Sequence, residues 1–143
     1  MEVIKTNEAP QAVGPYSQAV LAGSLLFLSG QIALDPQTGE MVQDSIEAET
    51  QRILDNIEAI LMEARFSIRD VVKTTVYATD INDFAAINGV YAKTFKVDPP
   101  ARRRISATSA LSSWGKGMTG AGVSGGSHSS FSAHDISYQR PNL

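Results

Sequence analysis

Between residues 45 and 64, Ile46, Thr50, Ile53, Leu54, Ile57, Ile60, Leu61 and Ala64 recur at helical spacing and form one apolar stripe. A helix with a single apolar face must lay it on a second layer, so this stripe alone demands a layered, packed domain. It reads as a packing helix, not a site. Asp44, followed three residues later by Glu47, resembles a capping arrangement at its start. Asn56 and Glu63 fall off the stripe, toward solvent.

Strands flank that helix. Residues 25–32 are rich in large apolar side chains and bounded by glycine and proline, which predicts a strand. Gly30 inside it marks a bulge or the close approach of another group. Asp35-Pro36-Gln37-Thr38-Gly39 is a turn. Residues 71–79 carry the β-branched and aromatic side chains of another strand. A second helix starts near Asp80, with Asn82 or Asp83 as its cap. Phe84, Ile87, Tyr91, Thr94 and Phe95 form its stripe, Asn88 shares that face, and Pro99-Pro100 ends it. The order strand, helix, strand, helix predicts an α+β domain with two helices packed on one face of a mixed β-sheet. That domain is expected over residues 1–111. Residues 112–143 read as an atypical tail, because 12 of the 19 residues from Ser112 to Ser130 are glycine or serine.

Composition narrows the function classes. The chain has 143 residues, 43% of them hydrophobic and 19% charged, as a globular domain has. It has no cysteine, so thiolate nucleophiles and zinc–thiolate sites are excluded. No apolar run is long enough for a membrane span and no secretory signal is visible, so a cytoplasmic protein is expected. The net charge of −3 is split into −6 over residues 1–102 and +3 beyond. An acidic body is a poor partner for a phosphate backbone, so nucleic acid is not the expected ligand. Arg102, Arg103 and Arg104 are the one local anion site.

Several polar residues interrupt apolar patterns: Tyr16 after Gly14-Pro15, Ser29 and Gly30 in a strand, Asn88 on a helix stripe, and Arg102 after the double proline. Each has an ordinary structural explanation when taken alone. The usual catalytic sets are missing. The two histidines, His128 and His134, both lie in the tail and have no triad partners. No phosphate-cradling glycine loop is present. No metal or organic cofactor is expected.

Four blocks of sequence, in order, carry a family resemblance. Ala9-Pro10-Gln11-Ala12-Val13-Gly14-Pro15-Tyr16-Ser17-Gln18-Ala19 is the first, and Ser29-Gly30-Gln31-Ile32 with Asp35-Pro36 and Thr38-Gly39-Glu40 is the second. Val72-Lys73-Thr74-Thr75-Val76-Tyr77 with Asp80-Ile81-Asn82-Asp83-Phe84 is the third. The fourth is Asn88, Tyr91, Phe95 and Pro100-Ala101-Arg102. Together they resemble the RidA/YjgF-type family, also called the L-PSP endoribonuclease family. The resemblance implies a chorismate-mutase-like fold, a homotrimer with ligand clefts between subunits, and hydrolysis of enamines and imines such as 2-aminoacrylate to 2-keto acids and ammonia. It implies catalytic roles for Arg102, Tyr16 and Asn88. Substrate binding falls to Ser29, Gly30 and Arg104, with Arg102 holding the substrate carboxylate bidentately. Two other readings remain: an L-PSP-type endoribonuclease, and a trimer that binds small ligands without turnover.

The third reading arises from a departure. After Pro-Ala-Arg the family continues with further strands and a glutamate that activates water, whereas residues 103–143 contain no glutamate. A missing central strand is therefore expected. One explanation is a reading-frame change near residue 103, since Ser113-Trp114-Gly115-Lys116 read one base forward can give Leu-Gly-Ala followed by Lys or Arg. Met118-Thr119 then gives a stop.

Overall fold

The computed structural model describes residues 1–106 and the backbone of two later strands, Phe131–Ala133 and Ile136–Gln139. The chain opens with β1 (Glu2–Ile4), β2 (Ala19–Ala22), β3 (Leu25–Leu28) and the two-residue β4 (Gln31–Ile32). Helix α1 (Ile46–Glu63), strand β5 (Val71–Ala78), helix α2 (Phe84–Thr94) and strand β6 (Ala101–Ser106) follow. The later strands are β7 (Phe131–Ala133) and β8 (Ile136–Gln139).

β2 was not anticipated. Its signal is the Gly23-Ser24 pair: Ala22 pairs Leu25, leaving a two-residue loop, and Gly23 sits at φ 61°. Glycine meets the positive φ that such a hairpin turn demands. The predicted strand over 25–32 is interrupted at Ser29-Gly30, where the chain leaves the ladder and the Ser29 amide donates to the Gln18 carbonyl at 3.0 Å.

The caps differ in part from expectation. Ser45, not Asp44, starts α1, its hydroxyl accepting the Ala48 amide at 3.1 Å. Ser45 has extended backbone, which aims its side chain back at the free amides of the first turn. Asp83 is the N-cap residue of α2, as expected, but its side chain makes no capping hydrogen bond; the side-chain cap lies three residues earlier, at Asp80. It accepts the Asn82 amide at 2.8 Å and opens a short 3₁₀ turn, Ile81–Asp83, that leads into the helix.

Asn56 is the larger correction. It does not face solvent: it is fully buried, and its amide group donates to the carbonyls of Ile32 at 3.1 Å and Leu34 at 2.9 Å. Buried polar groups are kept where such partners meet them, here just past β4.

All strands join one mixed sheet, in which β5 and β6 run parallel and the other pairs antiparallel. β8 lies between β3 and β5, and β7 between β4 and β5. The expected gap in the centre of the sheet is therefore filled, by backbone from a segment with no legible period. Leu26 and Leu28 of β3 and Val71 and Val76 of β5 pack with Ile53, Ile57, Ile60 and Leu61 of α1 and with Phe84, Ile87 and Val90 of α2. Leu25, Phe27, Ile32 and Val72, the neighbours that alternate away from this core, stay 36–45% exposed.

Candidate functional site

The polar residues singled out in the sequence fall into two groups in one chain. Tyr16, Ser29 and Gly30 line an open cavity of about 700 Å³, together with Gln18 and Gln31 and an apolar wall that includes Leu28, Ile32 and Leu34. Asn88, Arg102 and Arg104 are not among its lining residues; they belong to α2 and β6.

Buried Gln18 organises the first group. It accepts the Thr6 amide at 2.7 Å and donates to the carbonyls of Thr6 at 3.0 Å and Pro10 at 2.8 Å. One side chain thus ties down both ends of the segment that carries Pro10 into the cavity wall. Gly14 turns that segment at φ 144°, and the Tyr16 ring packs against it. The Tyr16 hydroxyl accepts the Val13 amide at 3.3 Å, so its own proton is left to offer to a ligand. The Ser29 hydroxyl donates to the Ser17 carbonyl at 2.6 Å, which leaves its oxygen as an acceptor facing the break before β4. On the far wall, Asn56 holds Ile32 and Leu34 by their carbonyls, and its own oxygen accepts from Arg52 Nε at 3.2 Å. Gln18 and Asn56 went unremarked as site residues because neither touches the apolar patterns that sequence reading follows.

Among the described residues the cavity lining contains no charged side chain. A carboxylate bound there needs its counter-charge from elsewhere.

The second group supplies charge. Arg102 pairs in register with Thr74 of β5, and its guanidinium carbon lies 4.6 Å from the centre of the Tyr91 ring. The Tyr91 hydroxyl and the Thr74 hydroxyl share a buried 2.7 Å hydrogen bond that fixes the ring. Burial raises the Tyr91 phenol above its ordinary 10.0, against the smaller opposing effects of the Thr74 bond and the Arg102 charge. At neutral pH the ring under the guanidinium is therefore uncharged and oriented, a contact worth about 0.5–1 kcal/mol at an exposed site. Arg104 repeats the arrangement 5.2 Å over Phe84. Arg103, between them, projects from the opposite face. Asn88 lies on α2 between the two rings, and its Oδ1 is buried without a hydrogen-bond partner among the described residues. The one ion pair among the described residues joins Arg52 to Asp55 at 4.0 Å, so neither Arg102 nor Arg104 has a carboxylate partner there.

The cavity of the first group includes β4 in its wall, and the arginines of the second stand on β6, with β7 and β5 between the two strands. Three strand spacings put the backbones of β4 and β6 about 14 Å apart.

The sequence model of the family described as Endoribonuclease L-PSP matches residues 6–114. The chain belongs to this family. A RutC family protein of Pyrococcus horikoshii is 54% identical over 107 residues, covering 75% of this chain and 85% of the relative. Reactive Intermediate Deaminase A of Arabidopsis thaliana, a chloroplastic protein, is 46% identical over 101 residues, 71% of this chain and 54% of its own. Escherichia coli TdcF, solved with bound serine, superposes with a TM-score of 0.79 at 32% identity over 99% of this chain and 100% of its own. The fold is thus that of the RidA/YjgF chains. Sequence likeness to the curated relatives spans about three-quarters of this L-PSP-family chain, whereas fold likeness spans nearly all of it. Among the described residues no helix is long and apolar enough to cross a membrane. His128 and His134 lie outside the described residues.

Proposed function

We propose that this L-PSP-family chain hydrolyses reactive enamines and imines of the 2-aminoacrylate type to 2-keto acids and ammonia, in a site built from two copies. One observation carries the reading: among the described residues the cavity holding Tyr16, Ser29 and Gly30 is lined by no charge, while Arg102, with no ion-pair partner among them, stands on β6, separated from β4 by β7 and β5. A second copy, placed so that its β6 faces this cavity, joins them. The exposed apolar side chains Leu25, Phe27, Ile32 and Val72 offer a surface for it, and a homotrimer is the assembly the family resemblance implies.

In this reading Arg102 takes the substrate carboxylate through its in-plane N–H groups, which stacking on Tyr91 leaves free. Backbone at Ser29-Gly30 lets the ligand approach closely. The Tyr16 hydroxyl donates to the attacking water or to the developing carbinolamine oxygen, and Asn88 helps orient the ligand. Water adds to the imine carbon with one of its protons passing to nitrogen; as the C–N bond breaks the carbinolamine hydroxyl gives nitrogen the second, so that ammonia leaves and the keto group remains. None of the described cavity residues is a carboxylate, so in this reading what they contribute to turnover is positioning. Kinship to a protein named Reactive Intermediate Deaminase A supports the chemistry.

The test generates 2-aminoacrylate in the presence of the protein and measures ammonia and pyruvate above the spontaneous rate, with RNA degradation followed on the same preparation. Acceleration that Arg102→Ala abolishes supports the reading. RNA cleavage without acceleration replaces it with the endoribonuclease, and carboxylate binding with neither activity replaces it with the non-catalytic ligand-binding trimer.

A further inference from the structure

Arg102 and Arg104 occupy alternate positions of β6, so they project from one face about 7 Å apart along the strand. Each is held over a ring of α2, Arg102 over Tyr91 and Arg104 over Phe84. The rings are fixed: both are buried, and Tyr91 is tied to Thr74. Stacking sets where each guanidinium sits while leaving its N–H edge available to an anion. Among the described residues neither has an ion-pair partner, and Asp83, the carboxylate next to Phe84, keeps Oδ2 buried and unpaired, outside ion-pair range of both. Two like charges placed side by side repel, and an anion that meets both relieves that repulsion.

We infer that Arg104 is a specificity-determining residue, forming with Arg102 a two-point site for short dicarboxylic ligands. The inference rests on reading Arg102 as the carboxylate anchor. It adds that the preferred enamines, imines and keto acids are those derived from acidic amino acids, with the α-carboxylate on Arg102 and the distal carboxylate on Arg104. A single compact anion would have to pull both guanidiniums off their rings to one point. Two carboxylates joined by a short carbon chain meet each guanidinium where it already stacks. Arg103 takes no part, because it faces away.

Titration calorimetry on the full chain decides it, with 2-oxoglutarate, 2-oxobutanoate and inorganic phosphate as ligands. Wild type is expected to bind 2-oxoglutarate roughly tenfold or more tightly than 2-oxobutanoate, the scale of one charged hydrogen-bonded contact. Arg104→Gln, an exposed position, should bring the two keto acids to within about twofold. Equal affinities in wild type, a preference that survives Arg104→Gln, or phosphate binding as tightly as 2-oxoglutarate each overturn the inference. If Arg102→Ala still binds 2-oxobutanoate normally, the anchor reading has failed; if only the preference is missing, Arg104 alone has.

Discussion

Asn56 donates to the carbonyl of Leu34 at 2.9 Å, from the middle of the packing helix to the chain just beyond the shortest strand. The same amide group reaches Ile32, and both residues line the cavity. Asn56→Leu is therefore expected to leave two carbonyls without their partner. The cost should be about 1–3 kcal/mol per desolvated group, read as a lower midpoint in urea unfolding. Ligand affinity should fall too, since that wall is no longer held. Unchanged stability would mean that the carbonyls find other donors.

Arg102→Ala should keep the fold and weaken binding of small carboxylates ten- to a hundredfold or more, as expected for losing a charged contact worth about 1.5–3 kcal/mol. Far-ultraviolet circular dichroism checks the first half and calorimetry with 2-oxobutanoate the second. Arg102→Lys should recover only part of the affinity, because an ammonium neither stacks on Tyr91 as a plane nor offers a fork to a carboxylate.

The pattern of what could be read in advance has a physical cause. α1, β5 and α2 declare themselves through side-chain periodicity, because each buries one face. The same logic misled at Asn56, where a polar residue off the stripe is buried by hydrogen bonds. β2 is short and only partly buried, so its one clear sign is the Gly23-Ser24 turn. Tyr16, Ser29, Gly30 and Arg102 could be found as pattern-breakers and as matches to family blocks. Their division between two separated places could not, because it depends on which strands lie side by side. β7 and β8 were illegible because the ladder that holds them uses backbone groups, which every residue but proline supplies in full.

Sedimentation at micromolar concentration should show a trimer. Phe27→Asp, which puts a charge on the exposed apolar face, should shift it toward monomer and remove both carboxylate binding and turnover. A wild-type monomer that retains full activity would refute the two-copy site.

Tyr91 sets a limit at high pH. Its folded pKa is raised, chiefly by burial, so the native state holds the phenolic proton more tightly than the unfolded chain does. That contribution to stability is fully present below the ordinary value of 10.0 and is lost as pH rises through the folded value. Unfolding midpoints measured from pH 9 to 11 should fall at the upper end. Tyr91→Phe should flatten that decline while costing about 1 kcal/mol at neutral pH for the lost Thr74 hydrogen bond.

The coding DNA should carry a family-like ending in another frame. With AGU for Ser124 and GGA for Gly125, reading one base forward gives Val-Glu, in the same frame in which Ser113 to Lys116 can give Leu-Gly-Ala. The stop at Met118-Thr119 requires a further base change between the two stretches. Resequencing settles the matter, and a gene with no such codons ends the idea. A chain restored to that frame should release ammonia about 10²–10⁴-fold faster, the usual worth of a general base.

The place of β8 between β3 and β5 also fixes when this protein can finish folding. Leu28 pairs Ile136 and Leu25 pairs Gln139, partners more than a hundred positions apart. During synthesis the β1–β2–β3 meander and α1 can form as they emerge, since their contacts are local. β3 and β5 must nevertheless wait with open ladder edges until the strand that joins them has left the ribosome. Closure is then one late, long-range event, slow by the standards of a chain this size. In that interval two unpaired edges stand ready to accept a strand from a neighbouring chain.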